Sequence, residues 1–175
     1  MKKPKDISKN NLTGEHPFGD RGQIILFILF MVIWILDSFV FRFSTILSVY
    51  LPVYIRLPIA IITIVFAGYF IKVGHTVIEE KQDTPNVIKT KVFLFVRHPI
   101  YFGTLLFYKG LVISTLSLIS FALLCIIFLF YNHIAEYEEK LLENRFDKEY
   151  LEYKKMVSRW LPVKFIGRNL FWFMG

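Results

Sequence analysis

The chain has 175 residues, 55% of them hydrophobic and 18% aromatic, with a formal charge of +7 and a mean hydropathy of +0.50. That is too apolar for a soluble domain, and the apolar residues fall in long runs rather than at amphipathic spacing, so the composition describes a multispanning membrane protein. Basic residues flank these runs instead of forming a stripe interleaved with aromatics, which argues for positive-inside topology and against a nucleic-acid partner.

Residues 1–22 form a polar tail carrying Lys2, Lys3, Lys5, Lys9 and Arg21, with little apolar surface to drive folding. It is too long and polar to open a cleavable signal, and the run that follows has no small-residue cleavage site, so that run is expected to remain as a span. From Gln23 to Phe41 the chain is apolar except for Asp37, which gives the first transmembrane helix. Asp37 near its far end is expected to pair with Arg42 or Arg56.

Between Phe43 and Ile71 the only charge is Arg56, and Pro52 and Pro58 interrupt the run. A helix through all of it would overreach the bilayer, so the reading is an interfacial stretch to about Ile55 and a second span from about Pro58 to Lys72. Residues 72–97 turn polar, with Lys72, His75, Glu79, Glu80, Lys81, Gln82, Asp83 and Pro85, and read as a loop.

After Pro99 the chain runs to Ala135 with Lys109 as its only charge apart from His133. At about 1.5 Å per residue this run exceeds the roughly 30 Å hydrocarbon core, so it must double back. Ser114-Thr115-Leu116-Ser117 is the expected turn of a tight helical hairpin. Glu136, Glu138, Glu139 and Lys140 then open a charged helix through Arg145. Asp147 is placed to cap a second helix over Glu149, Tyr150, Tyr153 and Lys154, and Pro162 to end it. Residues 164–175, with Phe165-Ile166 and Leu170-Phe171-Trp172-Phe173, are read as an interfacial tail.

The fold expected is therefore all-α and membrane-integral, with about four transmembrane helices, a tight C-terminal hairpin and cytoplasmic C-terminal helices. Five basic residues lie in the N-tail, five in 72–99 and eight in 132–175, which places both termini in the cytoplasm. The single cysteine, Cys125, lies in an apolar run, and the four histidines at 16, 75, 98 and 133 are scattered. Neither an internal disulfide nor a metal site is expected.

The densest chemistry is Arg97-His98-Pro99-Ile100-Tyr101. Pro99 disfavours α geometry at His98, so a helix starts at Pro99, and its unpaired N–H groups and positive dipole end make an anion site beside Arg97 and His98. Tyr101, three residues on, reaches the same place, and Gly103 leaves room for a helix or ligand. Alone, the motif also reads as a snorkelling anchor and a helix start, and Glu138 and Glu139 as a solvated pair with Lys140 or Lys81. The hairpin changes the balance, because it returns both stretches to one face of the membrane. Imidazole and carboxylates would then line a common cavity suited to a zwitterionic, partly aromatic ligand, its carboxylate on the cationic side and its ammonium or ribose hydroxyls on a glutamate.

Val96-Arg97-His98-Pro99-Ile100-Tyr101-Phe102-Gly103, the apolar hairpin, Glu138-Glu139 with Leu142 and Phe146, Glu149-Tyr150-Leu151-Glu152-Tyr153-Lys154-Lys155, and Arg159 with Pro162 resemble the isoprenylcysteine carboxyl methyltransferase family and its phospholipid methyltransferase relatives. The resemblance covers about residues 85–163, which it marks as the cofactor-binding region, after the tail of 1–22 and the membrane helices and loop of 23–84. It implies an integral membrane enzyme using S-adenosylmethionine, with an acceptor entering from the bilayer. His98, Pro99 and Tyr101 match the family's cofactor-binding His-Pro-x-Tyr and Glu138 its glutamate. Asn86, Val87 and Ile88 fall where a preceding segment lines the cofactor, and Arg97 and Glu139 complete the candidate set. Phe93 stands where members often have tyrosine. Ile134, beside His133, stands where carboxyl methyltransferases carry an arginine one turn before the glutamate. Carboxylate, amine and thiol acceptors all stay open. A membrane reductase using NADPH and a non-catalytic membrane scaffold are the rival readings.

Overall fold

The computed structural model describes residues 19–81 and 86–161. Helix α1 (Gly19–Ile35) runs on as a π-helical turn, Leu36–Phe41, followed by a 3-10 turn at Ile46–Val49 and the long α2 (Val53–Lys81). An extended stretch and a 3-10 turn at Lys91–Leu94 lead to α3 (Pro99–Thr115), α4 (Leu118–Phe146) and the short α5 (Lys148–Met156). No strand is present among the described residues; one isolated parallel bridge joins Val96 to Ser158. Among the described residues three helices are long and apolar enough to cross a membrane: Arg21–Phe41, Val53–Lys81 and Leu118–Phe146. α3, with 17 residues, is about 25 Å long and folds back on α4.

Helix α2 corrects the expected split. It begins at Val53, passes through Pro58 and continues to Lys81, so residues 72–81, the first part of the expected loop, are helical. Pro58 falls in the second turn, close to the helix start, where its missing N–H removes a single early ladder bond. The far end is held by tertiary packing: Val77 is buried against Val92 and Phe93, and Gly74 passes the start of α3 so closely that a Cβ there would lie 2.8 Å from Ile100 Cγ1.

Small residues set the α2–α3 interface. Ala60, Ala67 and Gly74 on α2 are buried and recur every seventh position, facing Gly103 and Gly110 on α3, also buried and seven apart. A Cβ on Gly103 would sit 2.9 Å from the Ala67 carbonyl oxygen, and one on Gly110 3.2 Å from that of Ala60. In hydrocarbon, where burying apolar surface gives little drive, such close backbone approach is what makes two helices associate. The aromatic core lies on the other side of α3, where Phe30, Tyr108, Val112, Ile127 and Tyr131 of α1, α3 and α4 pack together.

The hairpin turns where expected. α3 ends at Thr115, Leu116 takes the left-handed conformation at φ 55°, and Ser117 caps α4 by accepting the Ser120 N–H at 3.0 Å. Asp37, however, pairs with neither arginine. Its buried carboxylate accepts the Ser44 N–H at 3.0 Å and the hydroxyls of Ser44 and Ser117. It thus sits at the positive end of α4, while Arg56 donates to the Thr115 carbonyl at the negative end of α3. Each charge meets a helix dipole of opposite sign rather than the other charge.

Asp147 is likewise not a side-chain cap. At φ 44° it is the link between helices, its N–H closing α4 on the Glu143 carbonyl at 2.8 Å, and its side chain makes no capping bond. α5 ends at Met156 because Val157 turns extended and the chain pairs at Ser158 with Val96. Pro162, the tail 164–175 and residues 1–18 lie outside the described residues.

The helix contacts give a direct test. Gly103→Ala should destabilise the protein by about 1–3 kcal/mol, because a backbone oxygen blocks the new methyl. Gly68→Ala, with nothing within 4 Å, should leave the thermal midpoint in detergent unchanged or raised.

Candidate functional site

Three chain segments meet at the open end of the hairpin: Val92–Tyr101, the end of α4, and residues 153–160. Pro99 at the first position of α3 leaves His98 outside the helix at φ −121°, ψ 71°, which turns its ring toward α4. About 40 residues later α4 has returned through the same depth and presents Glu138 and Glu139. The structure therefore brings Arg97, His98, Pro99, Tyr101, Glu138 and Glu139 together.

Glu139 is the most enclosed of them, 1% exposed. Arg159 grips both its oxygens, Nε to Oε1 at 2.8 Å and Nη2 to Oε2 at 2.9 Å. Arg97 Nε donates to Oε1 at 3.0 Å, His98 Nε2 lies 3.3 Å away, and Lys154 Nζ is 3.4 Å from Oε2. Arg97 also donates to the carbonyls of Lys154 and Val157, so its charge meets the C-terminal end of α5. Glu138 is the more accessible carboxylate, at 14% exposure. It accepts the Tyr101 hydroxyl at 2.5 Å and lies 3.5 Å from His98 Nδ1.

His98 thus faces a carboxylate at each ring nitrogen, an arrangement only the imidazolium satisfies with two donors. Burial alone would push its pKa down, but hydrogen bonds and charge from Glu138 and Glu139 outweigh it and raise the value above the usual 6.5. Tyr101 stacks parallel to the imidazole at 5.7 Å, and Trp160 lies 6.1 Å from it, tilted. Tyr153, its phenol buried and pushed up in pKa by that burial, donates to the Phe93 carbonyl at 2.6 Å. This ties the turn before the motif to α5.

Imidazole and carboxylates, expected to face each other across a cavity, are in direct contact, His98 lying 3.5 Å from Glu138 and 3.3 Å from Glu139. A cleft of about 370 Å³ lies instead beside Asp37 at the opposite end, lined by Ile33, Leu36, Phe41, Phe43 and Ile119. The alternative of a solvated pair with Lys140 is set aside, since Glu139 is buried and Lys140 bonds Glu136 at 2.9 Å. Asn86, Val87 and Ile88 stand apart from the cluster. Asn86 is exposed, Val87 donates its N–H to Glu149 at 3.3 Å and packs by Tyr150 and Tyr153, and Ile88 packs by Val77 and Val92. Ile134 is buried and brings no cation.

Sequence reasoning missed the part played by Arg159, Trp160 and Asn132. Asn132 Oδ1 accepts both Arg159 Nη1 and Trp160 Nε1 at 3.0 Å. A polar asparagine inside an apolar run was the available signal, since such a residue in a span is costly without a partner.

The donor set suits a zwitterion: an imidazolium and a helix start for an anion, a carboxylate and a phenol for a cation or hydroxyls. Fold and site together define a small all-α integral membrane protein with a polar junction at the mouth of a membrane hairpin. Comparison with known proteins places it further. The sequence profile of the phospholipid methyltransferase family matches residues 45–149, and the chain belongs to that family.

The chain is 35% identical over 92 residues to the human protein-S-isoprenylcysteine O-methyltransferase, covering 51% of this chain and 32% of that protein. The Saccharomyces cerevisiae protein of the same name is 33% identical over 92 residues, covering 51% and 38%. Methanethiol S-methyltransferase 1 of Bradyrhizobium diazoefficiens is 29% identical over 123 residues, covering 61% and 42%. The matched part thus spans less than half the length of these relatives. No solved structure matches the chain.

The raised pKa of His98 fixes a sign. A folded value above the unfolded one adds stability that is complete below about 6.5 and is lost as pH rises through the raised value. The difference in thermal midpoint between wild type and His98→Gln, followed in detergent from about pH 6 to about pH 9, should therefore narrow with rising pH. A difference that widens would contradict the pairing.

Proposed function

We propose that this protein is an integral membrane methyltransferase that takes its methyl group from S-adenosylmethionine and passes it to a lipidic or small acceptor. The observation that carries the reading is the junction of His98, Tyr101 and Glu138, built from both ends of one hairpin in a chain of the phospholipid methyltransferase family. The relatives' names, an isoprenylcysteine O-methyltransferase and a methanethiol S-methyltransferase, support methyl transfer as the reaction class.

In this reading residues 85–163 hold the cofactor, with His98, Pro99, Tyr101 and Glu138 in contact with it. The α3 start and His98 take its carboxylate, and Glu138 takes its ammonium or ribose hydroxyls. Arg97 and Glu139, whose bonds go to protein groups, hold those residues in place. Asn86, Val87 and Ile88 supply backbone along the edge nearest α5. The cofactor, when bound, supplies an electrophilic methyl on a cationic sulfur. What the chain adds is in-line placement, exclusion of water and the aromatic faces of Tyr101 and Trp160 for a cation. With Ile134 where an acceptor-binding arginine would stand, an uncharged acceptor such as a thiol fits better than a carboxylate. The junction and both termini face the cytoplasm, where basic residues collect.

Calorimetry with S-adenosylhomocysteine on detergent-purified protein tests the reading. Wild type should bind, and His98→Ala or Glu138→Ala should weaken affinity by at least about tenfold, or about 1.4 kcal/mol. Unchanged affinity in both variants, or binding of NADPH instead, would reject it. Incubation of membranes containing the protein with labelled S-adenosylmethionine should then sort the acceptor. Label released as methanol by base marks a methyl ester, and base-stable label marks a thioether or amine.

A further inference from the structure

Residues 157–158 are already fastened to the start of the motif by backbone. The Arg97 N–H donates to the Ser158 carbonyl at 3.0 Å, Val96 and Ser158 form a bridge, and Arg97 Nη1 donates to the Val157 carbonyl at 2.7 Å. If the segment needed only to be anchored, these bonds would do it. The next two residues nevertheless bring their side chains to a single acceptor, Asn132 Oδ1, a polar atom placed in the apolar course of α4. Arg159 simultaneously forks onto Glu139, which touches His98 Nε2. Trp160, held by the same asparagine, lies 6.1 Å from the His98 ring, and Tyr101 stacks parallel to that ring at 5.7 Å.

We propose that Arg159, fixed by Asn132, is a positioning residue for the junction: it holds Glu139 so that His98 stays oriented with Nδ1 toward Glu138. A planar fork that meets a carboxylate with two bonds and an amide with a third fixes the angle of Glu139 as well as its charge, which an ammonium cannot do. Arg159 itself does not touch the ligand; its influence passes through Glu139 to the imidazole. The groups facing His98 are Glu138 and Glu139 from α4 and Tyr101 from α3, with Arg97, Arg159 and Lys154 behind Glu139. Removing the Arg159 charge leaves more of the Glu139 charge to act on the imidazole. This inference rests on the proposed cofactor reading for its ligand, but its first readout does not need the cofactor.

The test is an NMR titration of His98 in the full-length protein in detergent, the signal assigned among four histidines with His98→Gln, together with S-adenosylhomocysteine affinity. Arg159→Gln should raise the His98 titration midpoint by about half a unit or more and weaken affinity about tenfold. Arg159→Lys, which keeps the charge and loses the fork, should return the midpoint to the wild-type value while affinity recovers only in part. An anchoring role alone would lower the melting temperature of Arg159→Gln and leave midpoint and affinity at wild-type values, and that result would overturn the proposal. If the wild type binds no S-adenosylhomocysteine, the cofactor reading falls. The His98 midpoint in Arg159→Gln still decides whether Arg159 acts on the imidazole. If Arg159→Gln fails to fold, the comparison of Arg159→Lys with wild type carries the test, unchanged affinity there counting against the fork.

Discussion

A buried carboxylate with three cationic side chains and an imidazole around it organises this protein. Glu139 is reached by Arg97 and His98 from before α3, by Arg159 from after α5 and by Lys154 from within it. Three segments distant in sequence are thereby held at one point. Taking a carboxylate out of water costs several kcal/mol, and that cost is offset only when its lone pairs are filled by charged donors with good geometry. Such a centre adds little net stability when intact and is strongly destabilising when broken. Its value is that it admits one arrangement of the three segments and penalises others.

The rest of the fold serves the same placement. Helix α3 lies against α2 through a seam of alanine and glycine, so the start of α3 is fixed by backbone contact rather than by long side chains free to repack. At the other end of the hairpin, about 30 Å along α4, Asp37 and Arg56 meet the dipole ends of α4 and α3. The turn is thereby locked, and with it the register in which α4 returns to His98. Buried polar groups collect at the two ends of the hairpin: Asp37, Ser44 and Ser117 bond one another at one end, and His98 and Glu139 meet charged partners at the other.

Much of this was legible in the sequence where local chemistry decides. Pro99 specified where α3 starts, Ser114-Thr115-Leu116-Ser117 where the hairpin turns, and the length of the apolar run required the fold-back that brings His98 to Glu138. Tertiary contacts decided the rest. Pro58 reads as a break, but near a helix start it removes little, and the buried contacts of Gly74 and Val77 carry α2 to Lys81. Asp37 reads as half of an ion pair, yet its partners are serines from two loops and a helix terminus, which no spacing announces. Asp147 has the side chain of a cap and the backbone of a link. Arg159 lay within the family resemblance, but its grip on Glu139 and Asn132 depends on a path through space from the end of α5 back to α4.

The central claim, that Glu139 joins the segments before α3 and after α5 through its charge partners, is tested most directly by a double-mutant cycle on stability in detergent with Arg97→Met and Glu139→Leu. Glu139→Leu should cost about 3–5 kcal/mol by leaving buried cationic groups without their carboxylate, and Arg97→Met less, because Arg159, His98 and Lys154 still surround Glu139. The double variant should cost clearly less than the sum of the two. Strict additivity would contradict the account.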